Sequence, residues 1–258
     1  MLSSCANSPT KRFQEIALQY SFVESTINGH GFDHAIFAKP ASESNEANTS
    51  PFHIYIEGDG HPFFNNRYIN ADPTSTRGLM LKLMQLDSAK TALVGRPCYH
   101  SRKSDECKNS QWWTSHRYGT KVITSMAAAI ENLNTERRPI ILIGYSGGGA
   151  LASLLATKVK KVQQVLTINA NLDIDAWTNT HAYTPLTGSL NPIEHISQTI
   201  HIPQLHLIGK GDRNIPYESW APKLSSYGAD ILIYDDIDHK CCWEAIWPDI
   251  LKQHVTSN

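Results

Sequence analysis

A serine set between glycines is the strongest chemical signal in the sequence. The run Gly144-Tyr145-Ser146-Gly147-Gly148 fits the pattern Gly-x-Ser-x-Gly, in which the serine stands on a sharp turn from a strand into a helix. The aliphatic run 139–143 predicts the buried strand, and the run 148–158 predicts the helix. Negative charge that develops near the N-terminus of a helix is favoured. The pattern therefore predicts that Ser146 is a nucleophile.

Asp212 and His239 are the residues that could activate this serine. Each follows a run of aliphatic residues that is predicted to be a strand. A histidine takes the serine proton as a base, and a carboxylate orients the imidazole and stabilises its charged form. Asp173 and Asp175 follow the preceding predicted strand and are the alternative acids.

The order serine, acid, histidine, with each residue at the end of a strand, resembles the α/β-hydrolase superfamily across nearly the whole chain. The resemblance implies an α/β fold, with a mostly parallel sheet of about eight strands, helices on both faces and a small cap insertion. It implies neither a metal nor an organic cofactor.

The same resemblance implies an oxyanion hole made of backbone N–H groups. One donor is Gly147, and the other comes from the loop after the third strand. The run Glu57-Gly58-Asp59-Gly60 occupies that loop, so Asp59 is the expected donor and Gly60 the alternative. The run departs from the family pattern, which often has a histidine where Glu57 stands. The carboxylate of Asp59 would also disfavour an oxyanion unless it points away.

The expected order of elements begins with two strands, 16–23 and 31–39, joined by a turn at Asn28-Gly29. Strands and helices then alternate, which indicates a mostly parallel sheet. Residues 1–12 are predicted to be a tether and residues 13–258 a single domain.

Residues 171–199 have no clear periodicity and are rich in aromatic residues and prolines. Long segments of this kind inside a domain usually cover or bind ligands, so a cap is predicted here. Trp177 and Tyr183 of the cap, together with Tyr145, are the predicted substrate contacts. Arg96 and the pair Trp112-Trp113 could also shape a pocket.

Charge and hydropathy exclude several classes of partner. The 258 residues include 23 Lys and Arg against 24 Asp and Glu, which gives a net charge of −1. No basic field is present to attract nucleic acid, and no apolar run approaches the roughly 20 residues of a membrane span. The expected partner is a small-molecule ester. The sequence leaves the oligomeric state open.

The narrower resemblance concerns the cellular location. Five short runs are similar to those of uncharacterised bacterial α/β-hydrolases, many of which are lipoproteins: Glu57–Gly60, Gly95–Cys98, Trp113-Thr114, Ser189–Pro192 and Cys241–Trp243. Leu2-Ser3-Ser4-Cys5 resembles a bacterial lipobox, with only Met1 before it. We therefore expect a periplasmic or envelope location, with membrane contact only through a lipid anchor at Cys5. A cytoplasmic location is the alternative.

Four internal cysteines fit an oxidising compartment. Their spacing favours disulfides Cys98–Cys107 and Cys241–Cys242, and a pairing of one end with the other is the competing arrangement. Four reduced thiols are another alternative. A zinc site at Cys98, His100, Cys107 and His116 is a further one, although its spacing matches no usual zinc finger.

Taken together, these residues predict a serine hydrolase that cleaves carboxylic esters or thioesters through an acyl-enzyme. An amidase or peptidase would use the same residues. The alternative from a different class is a catalytically silent envelope protein that binds ligands on the same fold.

Overall fold

The computed structural model describes residues 8–40, 50–65, 67–102 and 104–255. Its strands are β1 (Val23–Gly29), β2 (Phe32–Ala38), β3 (Phe52–Ile56), β4 (Phe63–Phe64), β5 (Tyr68–Ile69), β6 (Lys90–Val94), β7 (Ile140–Tyr145), β8 (Val162–Ile168), β9 (Gln204–Gly209) and β10 (Asp230–Tyr234). Its α-helices are α1 (Pro9–Gln19), α2 (Leu79–Gln85), α3 (Thr120–Leu133), α4 (Gly147–Leu155), α5 (Ile174–Thr180), α6 (Pro192–His195), α7 (Ala221–Ser226) and α8 (Trp243–His254).

Eight of these strands form one mixed sheet in the order β1-β2-β6-β3-β7-β8-β9-β10. β1 pairs antiparallel with β2, and β2 pairs antiparallel with β6. The pairs from β6 to β10 are parallel. The predicted fold class, a mostly parallel sheet of the α/β-hydrolase type, is confirmed, with two antiparallel pairs at its start.

The central strands are buried on both faces, as their uninterrupted aliphatic sequences predict. Alternate residues of β3 and β7 belong to opposite layers. Ile54 and Leu142 pack in the cluster that holds the apolar faces of α3 and α4. Tyr55 and Ile141 pack in the cluster that holds those of α1, α2 and α8. A smaller cluster joins α6 and α7 to the ends of β8 and β9.

The predicted first strand, 16–23, is wrong. The chain there completes α1 and turns, and the first strand begins only at Val23. Ser8 caps the helix by accepting from the N–H of Lys11, and Pro9 starts it. Phe13 is fully buried, and its ring lies against those of Phe37 and His100. Burial of this helical face outweighs the strand-like pattern.

The same helix alters the expected N-terminal boundary. Residues 9–12 belong to α1 rather than to a tether, and Thr10 is tied to Asp72 and Thr74 by hydrogen bonds. Residues 1–7, including Cys5, lie outside the described residues. None of the helices in the described ranges is long and apolar enough to span a membrane.

The cysteines lie in the two pairs that their spacing favours. Cys98 is bonded to Cys107 with 5.3 Å between the Cα atoms, and Cys241 is bonded to Cys242. Because two of its sulfur ligands are bonded to each other, the alternative zinc site is not formed.

Candidate active site

The turn that carries Ser146 has the strained backbone of a nucleophile elbow. Ser146 lies between β7 and α4 with φ 53° and ψ −121°, in the positive-φ region that side chains other than glycine rarely adopt. A Cβ on Gly144 would overlap the carbonyl of Gly148, and one on Gly148 would overlap the carbonyl of Ile56. The two glycines are therefore required by close backbone packing.

Asp212 and His239 meet at the carboxyl edge of the sheet. His239 Nδ1 lies 2.7 Å from Asp212 Oδ2. The other carboxylate oxygen, Oδ1, accepts from the backbone N–H groups of Asn214 (2.7 Å) and Ile215 (3.1 Å). With its side chain only 1% exposed, Asp212 is held so that one oxygen faces the imidazole.

The alternative acids serve a different purpose. Asp173 caps α5 by accepting from the N–H of Ala176. Asp173 and Asp175 both accept from the side-chain amide of Asn191. The structure therefore pairs His239 with Asp212 and not with either of these residues.

Tyr145 connects the elbow to the histidine loop. Its ring lies 5.1 Å from the His239 ring between centroids, and its hydroxyl donates to the His239 carbonyl at 2.8 Å. A Cβ on Gly58 would contact both the Tyr145 ring and Ser146 Cβ. The predicted substrate contact Tyr145 is thus a buried wall between the elbow and His239.

Asn214 is a site residue that the sequence analysis missed. Its Nδ2 lies 3.3 Å from His239 Nε2, the nitrogen that would take the serine proton. No hydrogen bond joins Ser146 to His239, although both residues lie in the described ranges. Catalytic hydrogen bonds are often long in unliganded enzymes and tighten when substrate binds.

The predicted cap reaches the site through Asn214. Trp177 Nε1 lies 3.4 Å from Asn214 Oδ1, and His181 Nε2 lies 2.7 Å from the Asn214 carbonyl. Tyr183 stacks on His181 with 5.2 Å between ring centroids and is 41% exposed. Trp177 and Tyr183 therefore form an aromatic cluster over the loop that carries Asp212 and Asn214.

Asp59 lies at the expected oxyanion loop, and its carboxylate does not point away. A Cβ on Gly147 would overlap Asp59 Oδ1. The carboxylate forms ion pairs with Arg96 and, at 2.9 Å, with Arg117, and it accepts from the Tyr118 hydroxyl at 2.6 Å. Both guanidinium groups are buried. Two cations against one carboxylate leave an excess positive charge beside Gly147.

The same contacts determine the pKa of the Asp59 carboxyl group. Burial by itself raises the pKa of Asp59, but the charges of Arg96 and Arg117 more than offset it and hold that pKa well below its usual range. Tyr99 fixes the backbone by donating to the Asp59 carbonyl at 2.9 Å. Arg117, Tyr99 and Tyr118 were not foreseen, because their contacts with Asp59 span 40 to 59 residues of sequence.

Glu57 stands where the family often has a histidine, and it anchors a helix. Its two oxygens accept from the backbone N–H groups of Gly58 (3.1 Å) and Met80 (3.2 Å), the latter in the first turn of α2. Burial raises the pKa of Glu57 to about 6, against the opposing effects of these two donors and of Lys82. Gly60, the alternative donor, has φ 63°, and a Cβ there would overlap the Pro73 carbonyl.

The two tryptophans considered as pocket residues belong to the core. Trp112 packs against Phe32 and donates to the carbonyl of Glu106, and Trp113 donates to that of Asn70. Both are less than 10% exposed.

Comparison with known proteins identifies the family of this chain. A family model described as serine hydrolase (FSH1) matches residues 81–225, more than half of the chain. The chain belongs to the FSH1 serine hydrolase family. The match to this family includes Ser146 and Asp212 and ends before His239. Among curated protein sequences, none matches the chain significantly.

Solved structures similar to this FSH1-family serine hydrolase share its fold. An esterase from Pyrococcus furiosus has a TM-score of 0.61 and 14% identity, over 92% of this chain and 93% of the esterase. A puromycin-hydrolysing peptidase from Mycobacterium tuberculosis has a TM-score of 0.59 and 15% identity, over 90% of this chain and 39% of the peptidase. An acylaminoacyl peptidase from Pyrococcus horikoshii has a TM-score of 0.56 and 14% identity, over 85% and 38%. The chain thus spans about two fifths of each peptidase.

Proposed function

We propose that this serine hydrolase cleaves carboxylic esters or thioesters through an acyl-enzyme on Ser146. The observation that carries the proposal is the contact of 2.7 Å between His239 Nδ1 and Asp212 Oδ2, beside a strained serine elbow. An imidazole that donates from Nδ1 to a carboxylate presents Nε2 as a base. Ser146, His239 and Asp212 then act as a catalytic triad.

The reaction has two stages. Ser146 Oγ attacks the ester carbonyl carbon while His239 Nε2 takes the hydroxyl proton. The imidazolium, stabilised by Asp212, gives that proton to the departing alkoxide or thiolate, and the acyl group stays on Ser146. Water activated by the same histidine then attacks the acyl-enzyme, releasing the acid and restoring the serine.

The backbone N–H groups of Gly147 and Asp59 are the proposed oxyanion donors. Across the described part of the chain, neither N–H donates a hydrogen bond to another protein group, so both are available to a substrate oxygen. The excess positive charge at Asp59, Arg96 and Arg117 favours the developing oxyanion and offsets the nearby carboxylate. Each such donor typically contributes about 3 kcal/mol to the stability of a transition state.

Amide cleavage is the second candidate, because two of the structurally similar proteins are peptidases. Coverage favours the ester reaction, since the chain matches the Pyrococcus furiosus esterase over 93% of that protein but each peptidase over less than 40%. A silent binding protein is less well supported, because binding alone would not require the strained elbow and the oriented histidine.

Labelling with a fluorophosphonate tests the proposal directly. The wild-type protein should be labelled and should hydrolyse 4-nitrophenyl butyrate, and Ser146→Ala should do neither. Ser153→Ala is the matched control, because Ser153 is a buried serine of α4, the helix that Ser146 precedes. Labelling that persists in Ser146→Ala, or a labelled protein that cleaves amides but no ester or thioester, would contradict the proposal.

A further inference from the structure

A cavity of about 470 Å³ lies beside the catalytic histidine loop. It is bounded by α1, by α2 and the segment before it, by the wall residue Tyr145 and by the start of α8. Its lining residues are Arg12, Ile16, Thr76, Arg77, Leu79, Lys82, Tyr145, Lys240 and Glu244. A volume of this size is enough for part of a small organic molecule.

The lining of this cavity is strongly cationic. It presents four cationic side chains, Arg12, Arg77, Lys82 and Lys240, against the single carboxylate of Glu244, which lies 3.5 Å from Lys82. No acidic side chain of the described ranges forms an ion pair with the other three cations. The whole protein carries a net charge of −1, so this excess is local.

Two of the cations, Arg77 and Lys240, are distant in the sequence but both act on the imidazole of His61. The pKa of His61 is lowered first by burial and then by the charges of both Arg77 and Lys240. Glu57, whose charge acts on the wall residue Tyr145, accepts from the N–H groups of Gly58 and Met80. The charge of Lys240 is partly offset by Asp238, whose pKa it helps to lower, whereas Arg77 forms no ion pair within the described ranges.

The cavity shares a wall with the catalytic machinery. Tyr145 lines it, and the Tyr145 ring lies 5.1 Å from the His239 ring. Lys240 follows His239 directly. The cavity is therefore adjacent to the histidine loop and separated from it by the Tyr145 ring.

We propose that this cavity binds an anionic group of the substrate, a carboxylate or a phosphate, so that the preferred ester is an acidic molecule. The inference rests on the proposed function and adds the substrate class. Arg77 and Lys240 are the residues assigned to recognise the anion, because both line the cavity and neither forms an ion pair with an acidic side chain of the described ranges.

Matched pairs of esters test the inference. Mono-4-nitrophenyl succinate and 4-nitrophenyl butyrate differ by a charge on the acyl side, and 4-(butyryloxy)benzoate and its methyl ester differ by a charge on the alcohol side. In at least one pair, kcat/KM should favour the anionic member tenfold or more. In Arg77→Ala/Lys240→Ala, this ratio should fall at least tenfold, whereas Lys160→Ala/Lys252→Ala, which removes two exposed cations elsewhere, should keep it.

Binding measured without turnover separates the two proposals. Ser146→Ala should bind inorganic phosphate or succinate, as seen by ³¹P line broadening or by saturation transfer, and the Arg77/Lys240 variant should lose this binding. The two probes distinguish a phosphate site from a carboxylate site. Anion binding in a protein that cleaves no ester would overturn the proposed function alone. Ester cleavage without either the anionic preference or the anion binding would overturn the inference alone.

Discussion

At His239, an amide occupies the position that the proton of Ser146 would have to reach in the proposed mechanism. Asn214 Nδ2 lies 3.3 Å from His239 Nε2, and Asn214 is itself held by Trp177 and His181 of the cap. An amide N–H that donates to the imidazole competes with Ser146 for the same lone pair. In the proposed mechanism, attack by Ser146 would therefore require Asn214 to give up this contact.

We expect Asn214→Ala to raise the rate constant for fluorophosphonate labelling about threefold, because His239 Nε2 becomes free to accept the serine proton. Asn179→Ala, an exposed change on α5, serves as the control. A tenfold loss of labelling rate in Asn214→Ala would show instead that the amide assists the transition state.

Arg96 is expected to affect both stability and turnover. Removing one partner of a buried ion pair costs about 3 kcal/mol or more, and the loss would also free the loop that carries the Asp59 N–H. Arg96→Ala should therefore lower kcat at least tenfold while KM changes less than threefold. The control is Arg102→Ala, which breaks a partly exposed pair with Glu24 away from the site. A loss of stability with unchanged kcat would assign Arg96 to the fold alone.

At the scale of elements, the central strands were predictable from the sequence, and the first strand, at one edge of the sheet, was not. β7 is an aliphatic run that follows Pro139, so its burial could be inferred locally. Residues 16–23 have a strand-like composition, yet Phe13 and Ala17 lie on the buried face of a helix. The Ser8-Pro9 pair was the overlooked signal, because serine at the cap and proline in the first turn begin helices.

The three residues of the proposed triad could be predicted from the sequence for the same reason as the central strands. Ser146, Asp212 and His239 follow strands, so sheet topology brings them to one edge. The contacts of Asp59 with Arg117 and of Asn214 with Trp177 depend on tertiary packing, and no sequence periodicity encodes them. The helices α5 and α6 are short, and they too depend on tertiary contacts, such as that of Asp173 with Asn191.

Glu57 joins β3 to α2, and its ionisation should affect the stability of this junction. Its pKa is raised from 4.5 to about 6 in the folded protein, so the ionised form costs the fold about 2 kcal/mol above pH 6. Most of this cost disappears as the pH falls to 4.5, where the carboxyl group is protonated in the folded protein and half protonated in the unfolded chain. Relative to Glu57→Gln, the wild-type free energy of unfolding should thus gain about 2 kcal/mol between pH 8 and pH 4.5.

Denaturant unfolding at the two pH values measures this difference. Glu218→Gln, an exposed change, provides the control and should show no such shift. A difference between wild type and Glu57→Gln that is independent of pH would contradict the raised pKa.

At the scale of the whole molecule, the oxidation state of the two cysteine pairs bears on the expected location of the protein in the cell envelope. We predict that both pairs are oxidised in the native protein, which non-reducing peptide mapping would detect. Cys98→Ala/Cys107→Ala should lower the free energy of unfolding by about 2–3 kcal/mol, as expected for a short closed loop. Cys241→Ala/Cys242→Ala should instead lower kcat with little effect on stability, because both residues are exposed and follow His239. Four free thiols would contradict the prediction and weaken the case for an envelope location.

The carboxylate of Asp59 against Gly147 also restricts the order in which this protein can change by mutation. No side chain fits at position 147 while Asp59 and the Tyr118 hydroxyl occupy that space. Shortening Asp59 first would leave the buried Arg96 and Arg117 without their shared counter-ion. A larger residue at position 147 is therefore accommodated only if Asp59 and its two arginine partners change as well. We expect Gly147→Ala on its own to destabilise the protein, because the added methyl group would overlap the Asp59 carboxylate.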